Sequence, residues 1–415
     1  MLLVAGMVLV GFNLRPLVTS LGPELSDVRD ALGLSGAAEG LLTTLPVLCF
    51  AAFGALTPLA ARRLGPHRLM AATMAVLAAG LALRAATDSG AVFLAASALG
   101  LAAAAAGNVL LPAIVKRDFP DRIGPMTAVY VGALSVGTTL GSAITVPLSG
   151  GDWRQGLGMW AIVAAVAALP WLALLGEDRG RAGGEDEPRA FGARVLMRSS
   201  LPWAMACYFG FQALCAYVIF GWLADIYKDA GYGSSAAGLL LSAATVMTIP
   251  VSLLIPRLAA RRPDQRLYVW LFVSCYAVAL PGLALAPHAG AWVWAILLGL
   301  GGGAFPLSLT MMGLRTRTAE GAAALSGFAQ GAGYLIGAAG PFTVGILHAL
   351  TGGWNAPIAF LGVAAAIQLP VGLASARDRT LEDELPAPPQ PSEAQVGGRY
   401  TAPLAVKPDG VRPRS

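Results

Sequence analysis

Twelve apolar segments, each close to the length of a bilayer crossing, follow one another along residues 1–376. A helix needs ~20 apolar residues to span the hydrocarbon core, and its backbone groups are all satisfied within the segment. Charged residues make up only 12% of the chain, against about 25% in soluble domains. The sequence therefore predicts an all-α membrane protein. Its predicted helices α1 to α12 cover residues 2–22, 37–60, 69–86, 91–115, 125–148, 157–176, 200–226, 235–259, 267–286, 291–313, 322–350 and 356–376.

Basic residues concentrate in alternate connections between these helices. Such residues mark the cytoplasmic side of a membrane protein, so both termini and the loop at 177–199 are predicted to be cytoplasmic. The net charge of +5 reflects this bias, which favours a membrane surface and not nucleic acid as the partner. Arginine outnumbers lysine 25 to 3, which is typical of a GC-rich bacterial genome. We expect a multi-pass protein of a bacterial cytoplasmic membrane.

The two halves of the chain repeat at a constant offset of 199 residues. Residues 59–63 (Leu-Ala-Ala-Arg-Arg) recur at 258–262, and Gly11-Phe12-Asn13 aligns with Gly210-Phe211-Gln212. The repeat predicts six-helix bundles at 1–176 and 200–376, joined by a polar, glycine-rich cytoplasmic linker at 177–199. The proline-rich tail at 377–415 is predicted to be disordered.

An even number of crossings gives the second half the same direction as the first. Two parallel six-helix repeats about an axis along the membrane normal describe the major facilitator architecture. In that architecture the substrate site lies between the halves near the bilayer midplane.

One charge lies well inside the first apolar segment, in the sequence Asn13-Leu14-Arg15-Pro16. An arginine near the middle of a membrane helix costs roughly 2.5–3.5 kcal/mol, and it is tolerated where it faces a polar cavity. Pro16 bends the helix there and frees a backbone carbonyl. We interpret these residues as an anion site. The alternative is that Arg15 extends to the outer headgroups, although Glu24 lies ~13 Å further along the helix.

Several motifs carry a resemblance to a known family. They are Gly11-Phe12-Asn13-Leu14-Arg15-Pro16, Leu41-Leu42-Thr43-Thr44-Leu45-Pro46, and Gly107-Asn108-Val109-Leu110-Leu111-Pro112 followed by Val115-Lys116-Arg117. Together they resemble the cyanate permease and nitroimidazole transporter family (CynX/NimT) of the major facilitator superfamily. The similarity covers α1–α5 well and the second half more loosely.

The resemblance implies that α1, α2, α4, α5, α7, α8, α10 and α11 line a central cavity. Asn13 and Gln212 are repeat mates, so we expect one amide on each side of the cleft. The alternative for Asn108 and Gln330 is a hydrogen-bonding role between helices. The alternative for Tyr208 and Tyr217 is a packing role. Phe305, next to Pro306, is a candidate for an apolar wall at a bend. The candidate substrate-binding residues are Asn13, Arg15, Asn108, Tyr130, Tyr208, Gln212, Tyr217, Phe305, Gln330 and Tyr334.

The loops after α2 and α8 resemble the basic gating loop of the superfamily. Its usual acidic residue is replaced here by Arg62, which leaves the charge latch of the family incomplete. The alternative is simple anchoring of positive charge on the inner side. The candidate gating residues are Arg62, Arg63, Arg68, Arg261 and Arg262.

Acidic residues are confined to loops, the tail and helix ends. Only Glu39 and Asp225 border the predicted membrane segments, whereas proton-coupled transporters usually hold a titratable group within the span. We therefore expect uniport or anion exchange, with proton coupling through Glu39, Asp225 or the substrate as the alternative. Arg84 is expected to pair with nearby Asp88 at the outer end of α3.

These observations predict a secondary active or facilitative transporter of a small anionic solute, working by alternating access with Arg15 as the binding cation. The alternatives are a multidrug-type exporter and a transport-inactive sensor, for which the sequence shows no appended signalling domain. An enzyme is not expected, because metal clusters, nucleophile elbows and phosphate loops are missing and the three histidines are scattered. We expect no cofactor or metal, and a monomer in the lipid bilayer.

Overall fold

The computed structural model describes residues 1–176 and 193–384, without the side chains of a few residues in helix ends, Glu39 among them. Twelve of its helical segments are long and apolar enough to cross a membrane, in agreement with the sequence. Their bounds are Leu2–Asn13 with Pro16–Thr19 (α1), Gly36–Leu64 (α2), Pro66–Ala86 (α3), Gly90–Asp118 (α4), Ile123–Ala143 (α5), Trp153–Ala173 (α6), Ser200–Asp229 (α7), Ser234–Ala259 (α8), Arg266–Leu285 (α9), Ala291–Gly301 with Ala304–Leu314 (α10), Ala319–Thr351 (α11) and Asn355–Ser375 (α12).

Short helices complete the described chain. The direction of α1 is continued beyond Thr19 by Leu21–Leu32, and Ala193–Arg198 precedes α7. The predicted linker and tail lie mostly outside the described residues. The helix ends joined by the loops α2–α3, α4–α5, α8–α9 and α10–α11 carry most of the loop arginines, and we call them the basic end. The opposite side of the bundle is the far end.

The first helix breaks at Leu14 and Arg15, between its two pieces. Proline has no N–H, so Pro16 leaves the carbonyl of Phe12 without its helical partner. A Cβ added at Gly137 of α5 would lie 2.0 Å from that Phe12 oxygen. Glycine at this position therefore lets α5 approach the freed carbonyl closely.

A second break interrupts α10 at Gly302 and Gly303. Both glycines have right-handed backbone angles, so the break reflects the low helix propensity of three successive glycines and not a left-handed turn. A Cβ at Gly303 would lie 2.3 Å from the Phe272 ring. The bend predicted near Phe305 and Pro306 is thus present, just before those residues.

The two bundles contact each other at the basic end through small residues. A Cβ at Gly327 of α11 would lie 2.9 Å from the Gly54 oxygen of α2. A Cβ at Gly124 of α5 would lie 2.5 Å from the Pro256 oxygen of α8. Small residues allow this close helix approach in membranes, and the close approach shuts the basic end between the halves.

Residues 377–384 differ from the disordered tail that the sequence predicts. They fold against the basic end, and a single 3₁₀ turn forms at Leu381–Glu384. The Leu381 amide donates to the Arg315 carbonyl over 2.8 Å, and the Leu381 side chain is fully buried. Backbone pairing and an apolar anchor hold this segment, which we call the C-terminal strap. The rest of the predicted tail, from residue 385 onward, lies outside the described residues.

Candidate functional site

Arg15 lies at the break in α1, where it precedes Pro16. Its guanidinium carbon is 5.8 Å from the ring centroid of Phe50 on α2 and 5.7 Å from that of Phe305 on α10. Both distances are within the range of cation–π attraction. The break in α1 therefore positions the cation, and the piece of α10 that follows its own break places a ring beside it.

Two phenols from the second half complete the surroundings of this cation. The Arg15 guanidinium interacts electrostatically with the hydroxyl groups of Tyr217 on α7 and Tyr334 on α11. The Tyr334 hydroxyl is buried, yet it makes no hydrogen bond of good geometry to a described residue. A buried hydroxyl without a partner costs free energy, so it is a group that a bound solute would satisfy.

Aromatic rings line the same place. The Tyr334 ring centroid lies 4.9 Å from that of Phe50 and 4.9 Å from that of Phe209, in edge-to-face arrangements. Phe209 in turn lies 5.9 Å from Phe305. Such contacts fix ring orientation, so the wall around Arg15 is rigid and comes from both halves.

An amide pair joins α4 to α11 beside these rings. Asn108 Nδ2 donates to Gln330 Oε1, and Gln330 Nε2 donates to Ser326 Oγ over 2.6 Å. The Asn108 Oδ1 atom is buried and has no partner among the described residues. The predicted role of these amides as interhelical hydrogen-bond partners is present, and it leaves one acceptor free next to Tyr334.

Carboxylates do not balance the charge of Arg15. Among the described residues, every ion pair involves other cations, and none joins Arg15 to an aspartate or glutamate. The result is a positively charged, aromatic site built from α1, α2, α4, α7, α10 and α11. We call it the Arg15 site.

Comparison with known proteins identifies the family. The Major Facilitator Superfamily profile matches residues 2–341. The 2-nitroimidazole transporter of Escherichia coli (strain K12) is 35% identical over 91% of this chain and 96% of its own length. The cyanate transport protein CynX of the same organism is 30% identical over 85% and 92%. The chain belongs to the major facilitator superfamily, in its cyanate and nitroimidazole transporter family.

A solved structure agrees with this assignment at the level of fold. The E. coli fucose:proton symporter FucP, solved in the outward conformation, aligns over 93% of this chain and 98% of its own with a TM-score of 0.69 at 12% identity. The resemblance to the family inferred from the motifs is confirmed, and so is the membrane transporter class. The relatives are transporters and not enzymes.

The structure turns the two repeat-mate amides of this facilitator away from Arg15. Asn13 Nδ2 donates to the Leu9 carbonyl over 2.8 Å and to the Val163 carbonyl of α6 over 3.4 Å. Successive helical residues are about 100° apart, so Asn13 and Arg15 cannot share a face. The expected pair of amides across the cleft is therefore absent.

The second of these amides forms its own buried cluster. Gln212 Nε2 donates to Tyr276 Oη over 3.2 Å, and Gln368 Nε2 donates to Gln212 Oε1 over 3.1 Å. Tyr208, one turn earlier on the same face, packs its ring where a Cβ at Gly372 of α12 would lie 2.7 Å away. These side chains join α7 to α9 and α12, which is the packing role that the sequence left open for Tyr208.

Tyr130 is fully buried on α5. Its backbone oxygen faces α1, where a Cβ at Gly11 would lie 2.4 Å from it. Within the described part of the chain, Tyr130 makes no contact with Arg15. The structure thus groups Arg15, Asn108, Tyr217, Phe305, Gln330 and Tyr334 and leaves Asn13, Tyr130, Tyr208 and Gln212 apart.

Sequence reasoning missed Phe50, Phe209 and Ser326 of the Arg15 site. The two phenylalanines lie in apolar helices, where packing residues and site residues have the same composition. The serine lies four residues before Gln330, a helical spacing that brings two side chains together. That spacing was the one signal that could have found it.

Four of the five candidate gating arginines are exposed. Arg62, Arg63, Arg261 and Arg262 lie on the surface of the basic end, and Arg68 Nε donates to the Leu175 carbonyl over 3.4 Å. An acidic residue from another segment lies at the same basic end. Glu382 of the C-terminal strap accepts from the Arg317 and Thr318 amides over 2.8 and 3.2 Å at the start of α11.

The same carboxylate reaches the other bundle. Lys116 at the basic end of α4 interacts electrostatically with Glu382. A carboxylate at a helix N-terminus is favoured by the helix dipole, and a lysine from the opposite half adds to this attraction. Glu382 therefore caps α11 and attracts a cation of the other half at the basic end.

The candidates for proton coupling differ in their surroundings. Asp225 is half-exposed and pairs with Lys228 over 3.0 Å, and the Glu39 side chain lies outside the described residues. Glu24, in the helix that continues α1, is 2% exposed. Burial raises the pKa of the Glu24 carboxyl above its ordinary value. The sequence missed Glu24 because the segment around it is not apolar.

Proposed function

We propose that this transporter carries a small, flat anion across the membrane, with Arg15 as its counter-ion. The observation that supports this proposal is a partly buried guanidinium that lies beside Phe50, Phe305, Tyr217 and Tyr334 without a carboxylate partner among the described residues. A charge removed from water without an opposite charge is costly. An anionic substrate supplies the missing charge.

The chemistry of the Arg15 site favours a planar solute. Guanidinium presents a flat fork of donors that suits planar anions, and aromatic faces offer contact area on either side. Relatives are named for cyanate and for 2-nitroimidazole. Cyanate is a compact anion, and 2-nitroimidazole is a flat, weakly acidic ring. We propose solutes of this size and charge as the substrate class.

Alternating access follows from the origin of the site residues. Arg15, Phe50 and Asn108 belong to the first bundle, whereas Phe305, Gln330 and Tyr334 belong to the second. The contacts that close the basic end imply that solute enters from the far end in this state. Separation of Glu382 from Lys116, together with movement of the Arg62 and Arg261 loops, opens the basic end.

The coupling mode we propose is uniport or anion exchange. The Arg15 site contains phenols, amides and one cation. Among the described residues, no aspartate or glutamate lies in it. Protons would then travel only with a weakly acidic substrate in its neutral form. We further propose a monomer in the bacterial cytoplasmic membrane with both termini in the cytoplasm, since the basic end carries most of the loop arginines.

Transport in proteoliposomes tests this function. Labelled cyanate and 2-nitroimidazole are the probes, and Arg15→Gln is the variant. A hydrogen bond to a charged group contributes about 1.5–3 kcal/mol, so we expect a loss of roughly 10- to 100-fold in uptake. The matched control is Arg266→Gln, which removes the same charge from an exposed residue paired with Asp264 and should leave uptake unchanged. Equal uptake by wild type and Arg15→Gln would refute the proposal.

A multidrug-type exporter is the second candidate. The rings of Phe50, Phe209, Phe305 and Tyr334 offer the apolar contact area that amphipathic compounds need. The same variants distinguish the two functions. An exporter of neutral or cationic compounds should keep its export activity in Arg15→Gln, because a cation contributes little to the binding of such solutes.

A further inference from the structure

A cavity of about 210 Å³ lies within the first bundle, apart from the Arg15 site. It is bounded by α1 and its continuation, α2, α3 and α4, toward the far end. Its walls are mostly apolar, and they include Leu17, Leu42, Pro46, Arg84, Ser97 and Leu101. Two of these residues are polar.

Arg84 is the charged wall of this cavity. Its side chain is 1% exposed, and its Nη1 atom donates to the Leu17 carbonyl over 2.9 Å. The guanidinium carbon lies 5.7 Å from the Phe93 ring centroid. The Nε and Nη2 atoms are buried and have no hydrogen-bond partner among the described residues. Two donors of a buried cation are therefore unused.

The expected partner of this arginine is engaged elsewhere. Asp88 pairs with Arg154 of α6 instead, so the predicted Arg84–Asp88 pair does not form. None of the ion pairs of the described residues involves Arg84. The difference arises because Arg84 turns into the bundle toward the break in α1 and Asp88 faces outward, where it is 93% exposed.

Ser97 faces the same cavity from α4. It is 2% exposed, and its Oγ atom has no partner among the described residues. A hydroxyl and two guanidinium N–H groups thus line one apolar cavity that lacks a protein anion. Unsatisfied buried donors are rare in folded proteins, and a cluster of them around a cavity is typical of a ligand site.

We propose that this cavity is a second anion-binding site, which takes a small monovalent anion between Arg84 and Ser97. A water molecule occupies about 30 Å³ in the liquid, so the cavity has room for an anion of a few heavy atoms. The anion accepts from Arg84 Nε and Nη2 and from the Ser97 hydroxyl. This site rests on observations separate from those that support the function proposed for Arg15.

The position of the site gives it a role in transport. Arg84 holds the carbonyl of Leu17, two residues after Arg15 in the broken helix. An anion bound to Arg84 Nε and Nη2 fixes the orientation of the guanidinium whose Nη1 holds Leu17, and so changes how firmly α1 is held at its break. The second site therefore acts as a positioning site for Arg15, at the end from which solute enters.

Equilibrium binding of thiocyanate to the purified full-length protein tests the proposal. We expect two sites in the wild type, one in Arg15→Gln and one in Arg84→Gln. The Arg84→Gln change should weaken the second site at least about tenfold, as expected for the loss of a charged hydrogen-bond donor. One site in the wild type that disappears in Arg15→Gln would overturn the proposal. Two sites that both remain in Arg84→Gln would overturn it as well.

A second variant covers the case in which Arg84→Gln fails to fold. Leu101→Phe fills the cavity from α4 and leaves both Arg84 and its bond to Leu17 in place. It should remove the second thiocyanate and leave the first one bound. Retention of two bound thiocyanate ions in a folded Leu101→Phe protein would refute the site.

Discussion

The first and seventh helices occupy equivalent places in the repeat, yet only the first is broken. At the offset of 199 residues, Arg15 aligns with Leu214, Pro16 with Cys215, and Glu24 with Leu223. The seventh helix runs without interruption from Ser200 to Asp229. Leu214 and Leu223 are buried. Apolar residues at these positions are therefore compatible with the fold.

Other positions keep the same task in both helices. Gly11 and Gly210 each allow a close approach, to the Tyr130 oxygen at 2.4 Å and to the Gly333 oxygen at 2.8 Å from an added Cβ. Asn13 and Gln212 each bond to an outer helix. The repeat therefore preserves these packing contacts, whereas the charge of Arg15 and the break occur only in the first helix. We infer that those differences serve transport.

The largest effect is expected when the seventh helix receives the charge that the first helix carries. Leu214→Arg puts an unpaired charge among buried apolar side chains, and an uncompensated buried charge destabilises a protein by about 3–5 kcal/mol. We expect aggregation or a large fall in Tm in detergent, measured by size exclusion and thermal unfolding. Leu214→Met is the control and should fold. A well-folded Leu214→Arg protein would show that the two helices are not distinguished by their surroundings.

The reverse exchange should spare folding and abolish function. Arg15→Leu removes a costly charge, so the Tm should stay the same or rise. Substrate binding should fall roughly 10- to 100-fold, because the charged donors are lost. Thermal unfolding and binding of cyanate are measured on the same preparation. Loss of folding in Arg15→Leu would mean that the arginine is structural.

The packing glycines should respond alike in the two helices. Gly11→Ala and Gly210→Ala both place a Cβ against a backbone oxygen, and overpacking of this kind costs typically about 1–3 kcal/mol. Gly11→Ala should lower the Tm more, since its Cβ lies closer to the oxygen. Gly221→Ala in the seventh helix is the control, because an added Cβ there meets nothing within 4 Å. A neutral effect of both changes would contradict the shared packing role.

Removal of one hydroxyl from the Arg15 site should lower the affinity for anions. Tyr334→Phe keeps the ring contacts with Phe50 and Phe209 and deletes the hydroxyl that faces Arg15. A neutral hydrogen bond contributes about 0.5–1.5 kcal/mol, so the affinity for anions should fall about two- to tenfold. Tyr268→Phe, in the core of the ninth helix, should leave the affinity unchanged. Equal anion affinities in Tyr334→Phe and Tyr268→Phe would show that the Tyr334 hydroxyl does not contribute to binding.

The smallest effect concerns Glu24, which aligns with Leu223. Burial raises the pKa of its carboxyl above the ordinary value of 4.5, so the folded protein binds more protons than the unfolded chain in the pH range just above that value. Stability therefore decreases as pH rises through this range. Glu24→Gln should be slightly more stable than wild type at pH 7 and lose this pH dependence. A lower Tm for Glu24→Gln at pH 7 would show that the charged form is the favoured one.

The sequence predicted what periodicity and composition determine. Twelve helices, the parallel repeat and a bend at Pro16 all follow from local chemistry. It also identified Arg15, because a charge in an apolar helix stands out. The side-chain directions were harder, since Asn13 lies two residues from Arg15 and yet faces the opposite way.

Residues of ordinary composition could not be assigned from sequence. Phe50 looks like any packing residue in an apolar helix, and Arg84 appeared to have a partner in Asp88. Both depend on which helix lies opposite, which is a tertiary property. The C-terminal strap was missed for the same reason, since Glu382 has a role only where α11 begins and Lys116 approaches.

The strap also bears on how this protein is handled. Seven residues beyond the twelfth helix, Glu382 holds the start of the eleventh helix and attracts a lysine of the other bundle. A purification tag or truncation placed directly after residue 376 would remove that contact and bias the population toward the state open at the basic end. A protein cut after residue 384 would retain it. We therefore expect the position of the C-terminus to affect the balance between the states that are closed and open at the basic end.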